Sequence, residues 1–213
     1  MNVILSFLTT LLLVFSPTAA ADAATTATAA VAELSVKGKA PKTGYERQKF
    51  SEGWGVAANG CDLRNVILKR DLQSVKYRVS DSCIVEQGQL IDPYTATTII
   101  FKRGISTSSK VQIDHVVAVS DAWQKGAQAW SFEKRNRFYN DPLNLLAVSG
   151  SANAQKGDSD AASWLPSNKA FRCEYVARQV SVKRKYQVWI TVAEKTAMLR
   201  VLKSCPSQPL INR

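Results

Sequence analysis

Asp114 and His115 stand side by side in the run VQIDHVVAVS (111–120), and His115 is the sole histidine of the 213-residue chain. A carboxylate beside an imidazole in an apolar, β-branched stretch is either a satisfied core pair or half of a hydrolytic site. Two later residues weigh on the choice. Asn144 and Asn153 are nine positions apart (153 − 144 = 9), an interval filled by a strand, a tight turn and the first turn of a helix. A hairpin closing 111–119 against 144–149 would bring all four residues near one point. Asp and Asn offer hard oxygens suited to Mg²⁺ or Mn²⁺. The chain has no second histidine and no C-x-x-C pair, so a closed zinc site is excluded. A histidine of ordinary pKa, about 6.5, is mostly neutral at pH 7 and able to take a proton. Asn140 rivals Asn144 as a residue that could hold the histidine loop.

The elements that must position these groups follow from pattern and punctuation. Residues 61–75 carry apolar positions at helical spacing. Residues 75–103 read as strands and turns, with Gln87-Gly88 and Asp92-Pro93 as turn signals and two of the strands expected as a hairpin. Residues 111–119 and 144–149 read as strands, and 121–139 as helix ended by Asn140-Asp141-Pro142. Ser151 is a candidate cap for a helix starting near Asn153. A last helix is expected from about Thr191 to Lys203. The order predicts an α+β fold, with a strand–insert–strand–helix unit over about 111–160. Trp123, Trp130 and Trp164 are assigned to the core, Asp158 and Asp160 to a helix surface, and Asp62 to a structural role.

The N-terminus has the form of an export signal over 1–20, with a short apolar run and small residues at its end. Residues 21–40 read as a low-complexity linker, leaving 41–213 as a single domain. No membrane anchor is expected after processing, which points to a secreted, periplasmic or cell-envelope protein. Cys61, Cys83, Cys173 and Cys205 form an even set that suits an oxidising compartment. They allow three pairings, of which the neighbours Cys61–Cys83 and Cys173–Cys205 each close one local loop. Each such bridge would contribute about 3 kcal/mol. Net charge is +11, and the stretch from Trp164 onward holds ten Lys/Arg against two Glu. A basic face of that kind suits a polyanion.

DHVV-AVS, N-LLAVSGSA-N and QKGDSD together resemble the HNH endonucleases of the ββα-metal (His-Me finger) class. With G-CDLRN, DPYTA, AWQKGAQAW, R-x-x-FYNDPLNLLAV, KGDSDAASWLP, RCEYVARQVSVK and the final Cys, the chain is similar over roughly 45–205 to secreted HNH proteins related to the C-terminal part of GmrSD-type restriction enzymes. The resemblance implies a ββα-metal core with added helices, a small N-terminal β-hairpin region and disulfide staples. It implies one divalent metal, Mg²⁺ first and Mn²⁺ second, held by Asp114 and Asn153, with His115 as general base and Asn144 orienting the histidine loop. The third letter of HNH, often His, falls here on Asn153. Lys156, Arg64, Lys183 and Arg184 are the candidate substrate-binding cations. The implied activity is hydrolysis of phosphodiesters in DNA, with RNA as a second substrate class and little sequence specificity, and no obligate protein partner. Two other readings are an inactive basic nucleic-acid-binding surface protein and a toxin-like nuclease effector, the latter with an immunity protein.

Overall fold

The computed structural model describes residues 25–212; the expected signal peptide lies outside them. The chain order is α1 (Ala27–Glu33), α2 (Leu63–Asp71), β1 (Gln73–Arg78), β2 (Asp81–Ile91), β3 (Thr98–Lys102), β4 (Val111–His115), α3 (Val119–Gln124), α4 (Phe132–Tyr139), β5 (Leu145–Ser149), α5 (Gly150–Lys156), α6 (Arg172–Tyr186) and α7 (Val192–Leu202). The architecture is α+β with two small antiparallel sheets, β1-β2-β3 and β4-β5. Cys61 is bridged to Cys83 and Cys173 to Cys205, the pairing favoured from loop length.

The expected hairpin at 75–103 is a three-strand meander. The segment TIIFK pairs with β2 in unbroken register from Gln87↔Lys102 to Ile91↔Thr98. Side chains alternate along β4 and β5, and both faces of this ribbon are covered. Val111, Ile113, Leu145 and Ala147 pack with Ile67, Leu68, Val85 and Phe101 on one side. Leu146 and Val148 pack with Tyr94, Tyr175, Val176 and Met198 on the other. A strand buried on both faces loses the polar alternation of a half-exposed one, which is why VQIDHVVAVS reads as continuously apolar. β4 ends at His115, four residues before the expected end, because Asn144 turns the chain there.

Residues 121–139 do not form one helix. Gly126 at φ 120° interrupts it, and Ser131 caps a fresh start by accepting from the Lys134 amide. Residues 27–33 were expected within a linker. They instead form α1, with Ala27, Ala30 and Val31 fully buried in the core shared with α6 and α7. The small side chains that make this stretch look like a spacer are what let it lie close against two other helices. Helix α6 has no counterpart in the sequence-based reading. Its dense Lys/Arg content masks a buried helix carrying Tyr175, Val176, Val180 and Val182 into the core.

Asp160, expected on the surface, is buried. With Asp121 and Glu194 it receives the ammonium groups of Lys125 and Lys183. Lys125 Nζ reaches Asp121 at 2.8 Å, Asp160 at 2.7 Å and Glu194 at 2.7 Å. Lys183 reaches Glu194 at 2.8 Å and Asp121 at 3.3 Å. Lys39 approaches Asp121 at 3.3 Å. Three carboxylates meet three ammoniums, so the cluster is neutral. Thr191 caps α7 through the Glu194 amide. The T-x-x-E spacing suggests a capping box, but the Glu194 carboxylate is turned to the lysines instead.

Candidate active site

The site grows from the β4–β5 ribbon and the helix that follows it. Ser149 accepts from the Ala152 amide and starts α5. The next residue must be glycine, since a Cβ on Gly150 would lie 2.1 Å from the Ser109 carbonyl oxygen. This close approach sets α5 against β4. Asn153 and Lys156, three positions apart, then share one helix face. Asn153 Nδ2 donates to Gln112 Oε1 at 2.8 Å. Lys156 Nζ donates to Asp114 Oδ1 at 2.9 Å and to the His115 carbonyl at 2.9 Å.

Asp114 and His115 point to opposite faces of β4, as neighbours on a strand must. Asp114 faces the helical side, where Oδ2 accepts from the Tyr94 hydroxyl at 2.5 Å. Burial, and then the Asp114 charge, raise the Tyr94 pKa far above its ordinary value, so the phenol stays a donor. Tyr94 itself is seated by the Asp92 turn. Asp92 Oδ1 also accepts from the Ser149 amide at 2.9 Å, tying the turn to the start of α5.

His115 faces the other way, into an aromatic frame. Trp54 stacks on it at 5.8 Å between centroids with planes 10° apart, and the Tyr139 ring lies 4.4 Å away. His115 Nε2 is 2.8 Å from the Tyr139 carbonyl oxygen. A carbonyl only accepts, so Nε2 carries the proton and Nδ1 keeps the lone pair. Burial first, and then the Arg47 charge, lower the imidazole pKa from its ordinary 6.5 to about 3; Lys156 adds to this and the Tyr139 carbonyl opposes it. The ring is thus neutral throughout the physiological range, and a weaker base than the histidine of ordinary pKa expected from the sequence.

Asn144 stands behind the histidine, fully buried. Its carbonyl oxygen accepts from the Val116 amide at 2.8 Å, its Oδ1 from the Val117 amide at 2.8 Å, and its Nδ2 donates to the Val117 carbonyl at 3.3 Å. The side chain acts as a length of strand and holds the turn that follows His115. Gln179 of α6 supports the same turn by donating to the Val116 carbonyl. Asn140, the rival for this role, serves the other wall. It accepts from the Gly55 amide at 2.7 Å and so fixes the loop that carries Trp54.

Asp114, His115 and Asn153 line one cavity of about 370 Å³ together with Ser120, Asp158, Lys42, Tyr45 and Arg47. The donor set fits a hard divalent cation. Asp114 has lone pairs left after its two hydrogen bonds, and Asn153 Oδ1 makes no hydrogen bond among the described residues. The buried trio Asp121, Asp160 and Glu194 also has oxygens within 4.8 Å of one another. Its center is filled by lysine ammonium groups, so it is an ion-pair cluster and not a competing metal site.

The expected substrate cations are placed differently. Lys156 is buried and locked to Asp114. Lys183 is fully buried in the ion-pair cluster, so it offers no charge to a ligand. Arg64 donates to the Ser108 and Val111 carbonyls, away from the cavity. Arg184 pairs with Glu33 at 3.0 Å. Tyr94, Trp54, Tyr139, Arg47 and Lys42 join the site without having been assigned to it from the sequence. Tyr94 and Tyr139 lie in the DPYTA and R-x-x-FYNDPLNLLAV motifs, whereas Trp54, Arg47 and Lys42 lie outside every motif of the resemblance.

A family model, "GmrSD restriction endonucleases, C-terminal domain", matches residues 62–201, more than half of the chain. The protein belongs to this family. A nuclease-like function comes with membership, and with it a general expectation of a divalent metal. The chain is also 35% identical over 184 residues to an "Uncharacterized secreted protein" of Arthroderma benhamiae, covering 85% of this chain and 86% of that one. No solved structure gives a significant match. Among the described residues no helix is long and apolar enough to cross a membrane. The family match begins after Lys42, Tyr45, Arg47 and Trp54, so part of the cavity wall comes from outside it.

Proposed function

We propose that the protein is an exported, metal-dependent endonuclease of the HNH, ββα-metal type that hydrolyses phosphodiesters of DNA, and of RNA as a second substrate, with little sequence specificity. The observation that carries the reading is the joint lining of one cavity by Asp114, Asn153 and a His115 whose Nδ1 is free to accept a proton. The antiparallel β4–β5 ribbon followed by α5 supports the ββα assignment. Export is supported by the signal-like N-terminus, two disulfides and the secreted relative.

In this mechanism His115 takes a proton from a water molecule at Nδ1 as the water oxygen bonds to phosphorus. The bond from phosphorus to the 3′ oxygen breaks, leaving a 5′ phosphate and, after protonation by solvent, a 3′ hydroxyl. Tyr139 holds the imidazole in the required tautomer, and Trp54 shields one ring face from solvent. Asn144 keeps the turn behind the base closed. Lys156 and Tyr94 fix the direction of the Asp114 carboxylate by donating to its two oxygens. Asp114 and Asn153 would hold one divalent ion, Mg²⁺ before Mn²⁺, which when bound supplies positive charge to stabilise the transition state.

Plasmid DNA should be degraded in Mg²⁺ and spared in excess chelator. His115→Ala should lower kcat/KM, measured on the folded fraction, by about 10²–10⁴. Undiminished cleavage by that variant would remove His115 from the chemistry. Chelator-insensitive cleavage would remove the metal. DNA binding without scission would favour the idle binding protein.

A further inference from the structure

We propose that Arg47 is the phosphate-binding cation of this cavity, so that the segment before the matched family region completes the site. The inference rests on the nuclease reading and deepens it by naming the residue that receives the anionic substrate. None of the four cations expected from the sequence is free to do so. Lys156 and Lys183 are buried in ion pairs, and Arg64 and Arg184 are engaged elsewhere. Two remaining cations line the cavity. Lys42 is tied to Asp158 at 2.9 Å. Arg47 has no carboxylate partner among the described residues.

What holds Arg47 is neutral. Its Nε donates to the Tyr139 hydroxyl at 3.2 Å, and its guanidinium lies 5.0 Å over the Tyr139 ring. The Tyr45 hydroxyl also lies within its influence. These contacts fix the plane of the guanidinium without cancelling its charge. Tyr139 is the residue whose carbonyl sets the tautomer of His115, so base and cation share one mount. The other cavity charges cancel in pairs, Asp114 with Lys156 and Asp158 with Lys42, which leaves Arg47 as the excess positive charge. A planar guanidinium with free N–H groups matches two phosphate oxygens at once, and a lysine does not.

The test uses the full chain, with Arg47→Ala, Arg47→Lys and, as control, Arg78→Ala on the exposed strand β1. Two readouts are needed. One is kcat/KM for plasmid cleavage in Mg²⁺. The other is binding of a short fluorescein-labelled DNA duplex by anisotropy in chelator, across a NaCl series. Arg47→Ala should lower kcat/KM by about tenfold to a hundredfold and reduce the log–log salt slope of binding by about 1. Arg47→Lys should keep the salt slope and recover only part of kcat/KM. Arg78→Ala should match the parent in kcat/KM, and thermal midpoints should coincide. A merely structural Arg47 would shift the midpoint and leave the salt slope alone, which overturns the proposal. So would parental kcat/KM and slope in Arg47→Ala, with the nuclease reading intact. If the parent chain binds DNA but does not cut it, and Arg47→Ala loses that binding, the nuclease reading falls while the phosphate contact stands. No binding and no cleavage by the parent would sink both.

Discussion

At the residue scale, the histidine is set by what surrounds it and not by its neighbour in sequence. Asp114 lies on the opposite strand face and pairs with Lys156, while His115 is held by a tyrosine carbonyl and a tryptophan ring. The proton inventory therefore depends on Tyr139 and Trp54. Asn144 makes a parallel case. Its side chain replaces backbone partners for Val117, and it is fully buried. Asn144→Ala should cost about 1–3 kcal/mol, read as a lower urea midpoint, because the Val117 amide and carbonyl lose buried partners. The same variant should lose activity beyond what its unfolded fraction explains. Full specific activity in the folded fraction would show that the turn needs no such brace.

At the element scale, the ion-pair cluster joins α3, α6 and α7 to the loop after α5. Lys125, on the C-terminal end of α3, spends its three ammonium protons on three carboxylates from different elements. Lys125→Met leaves buried carboxylates uncompensated and should destabilise by about 3–5 kcal/mol in urea unfolding. The cluster also sets an acid limit. Burial pushes the Asp160 carboxyl up, but the Lys125 hydrogen bond and charge win and lower it from 3.8 to about 2; Asp121 is lowered through Lys183 and Lys125 in the same way. A depressed folded value stabilises the protein above the unfolded one, and that contribution is lost as pH falls through the folded value. The thermal midpoint should drop between about pH 4 and pH 2, and this drop should shrink in Lys125→Met. Equal acid sensitivity in both proteins would mean other carboxylates dominate.

At the scale of the whole molecule, two staples and a dispersed charge matter most. Cys61–Cys83 ties the lead-in of α2 to β2, and Cys173–Cys205 ties the start of α6 to the end of α7. Neither touches the cavity. Replacing Cys173 and Cys205 with Ser should cost about 3–4 kcal/mol of stability, seen in urea unfolding, at unchanged kcat/KM below the unfolding range. A changed kcat/KM would tie the α6–α7 junction to the site. Part of the charge in the C-terminal third is spent inside the protein. Arg172, Arg178, Lys183, Arg184 and Lys185 go to carbonyls and carboxylates of the protein itself. Charge counted along a chain says little about charge left for a ligand once side chains have partners.

The sequence by itself determined the ribbon-and-helix segment and the last helix, favoured the cysteine pairing that the fold contains, and supplied the four polar residues from which the site is proposed. These rest on local rules: β-branched runs make strands, short loops pair cysteines, and a threonine caps a helix. The tertiary structure alone decided which cations stay available, because that depends on partners distant in sequence. Lys183 meets Glu194 and Asp121 across helices, and Arg47 meets Tyr139 across 92 positions. It also decided that α1 and α6 belong to the core, since small or charged residues enter a core only when close packing or ion pairing offsets what they lack in apolar surface.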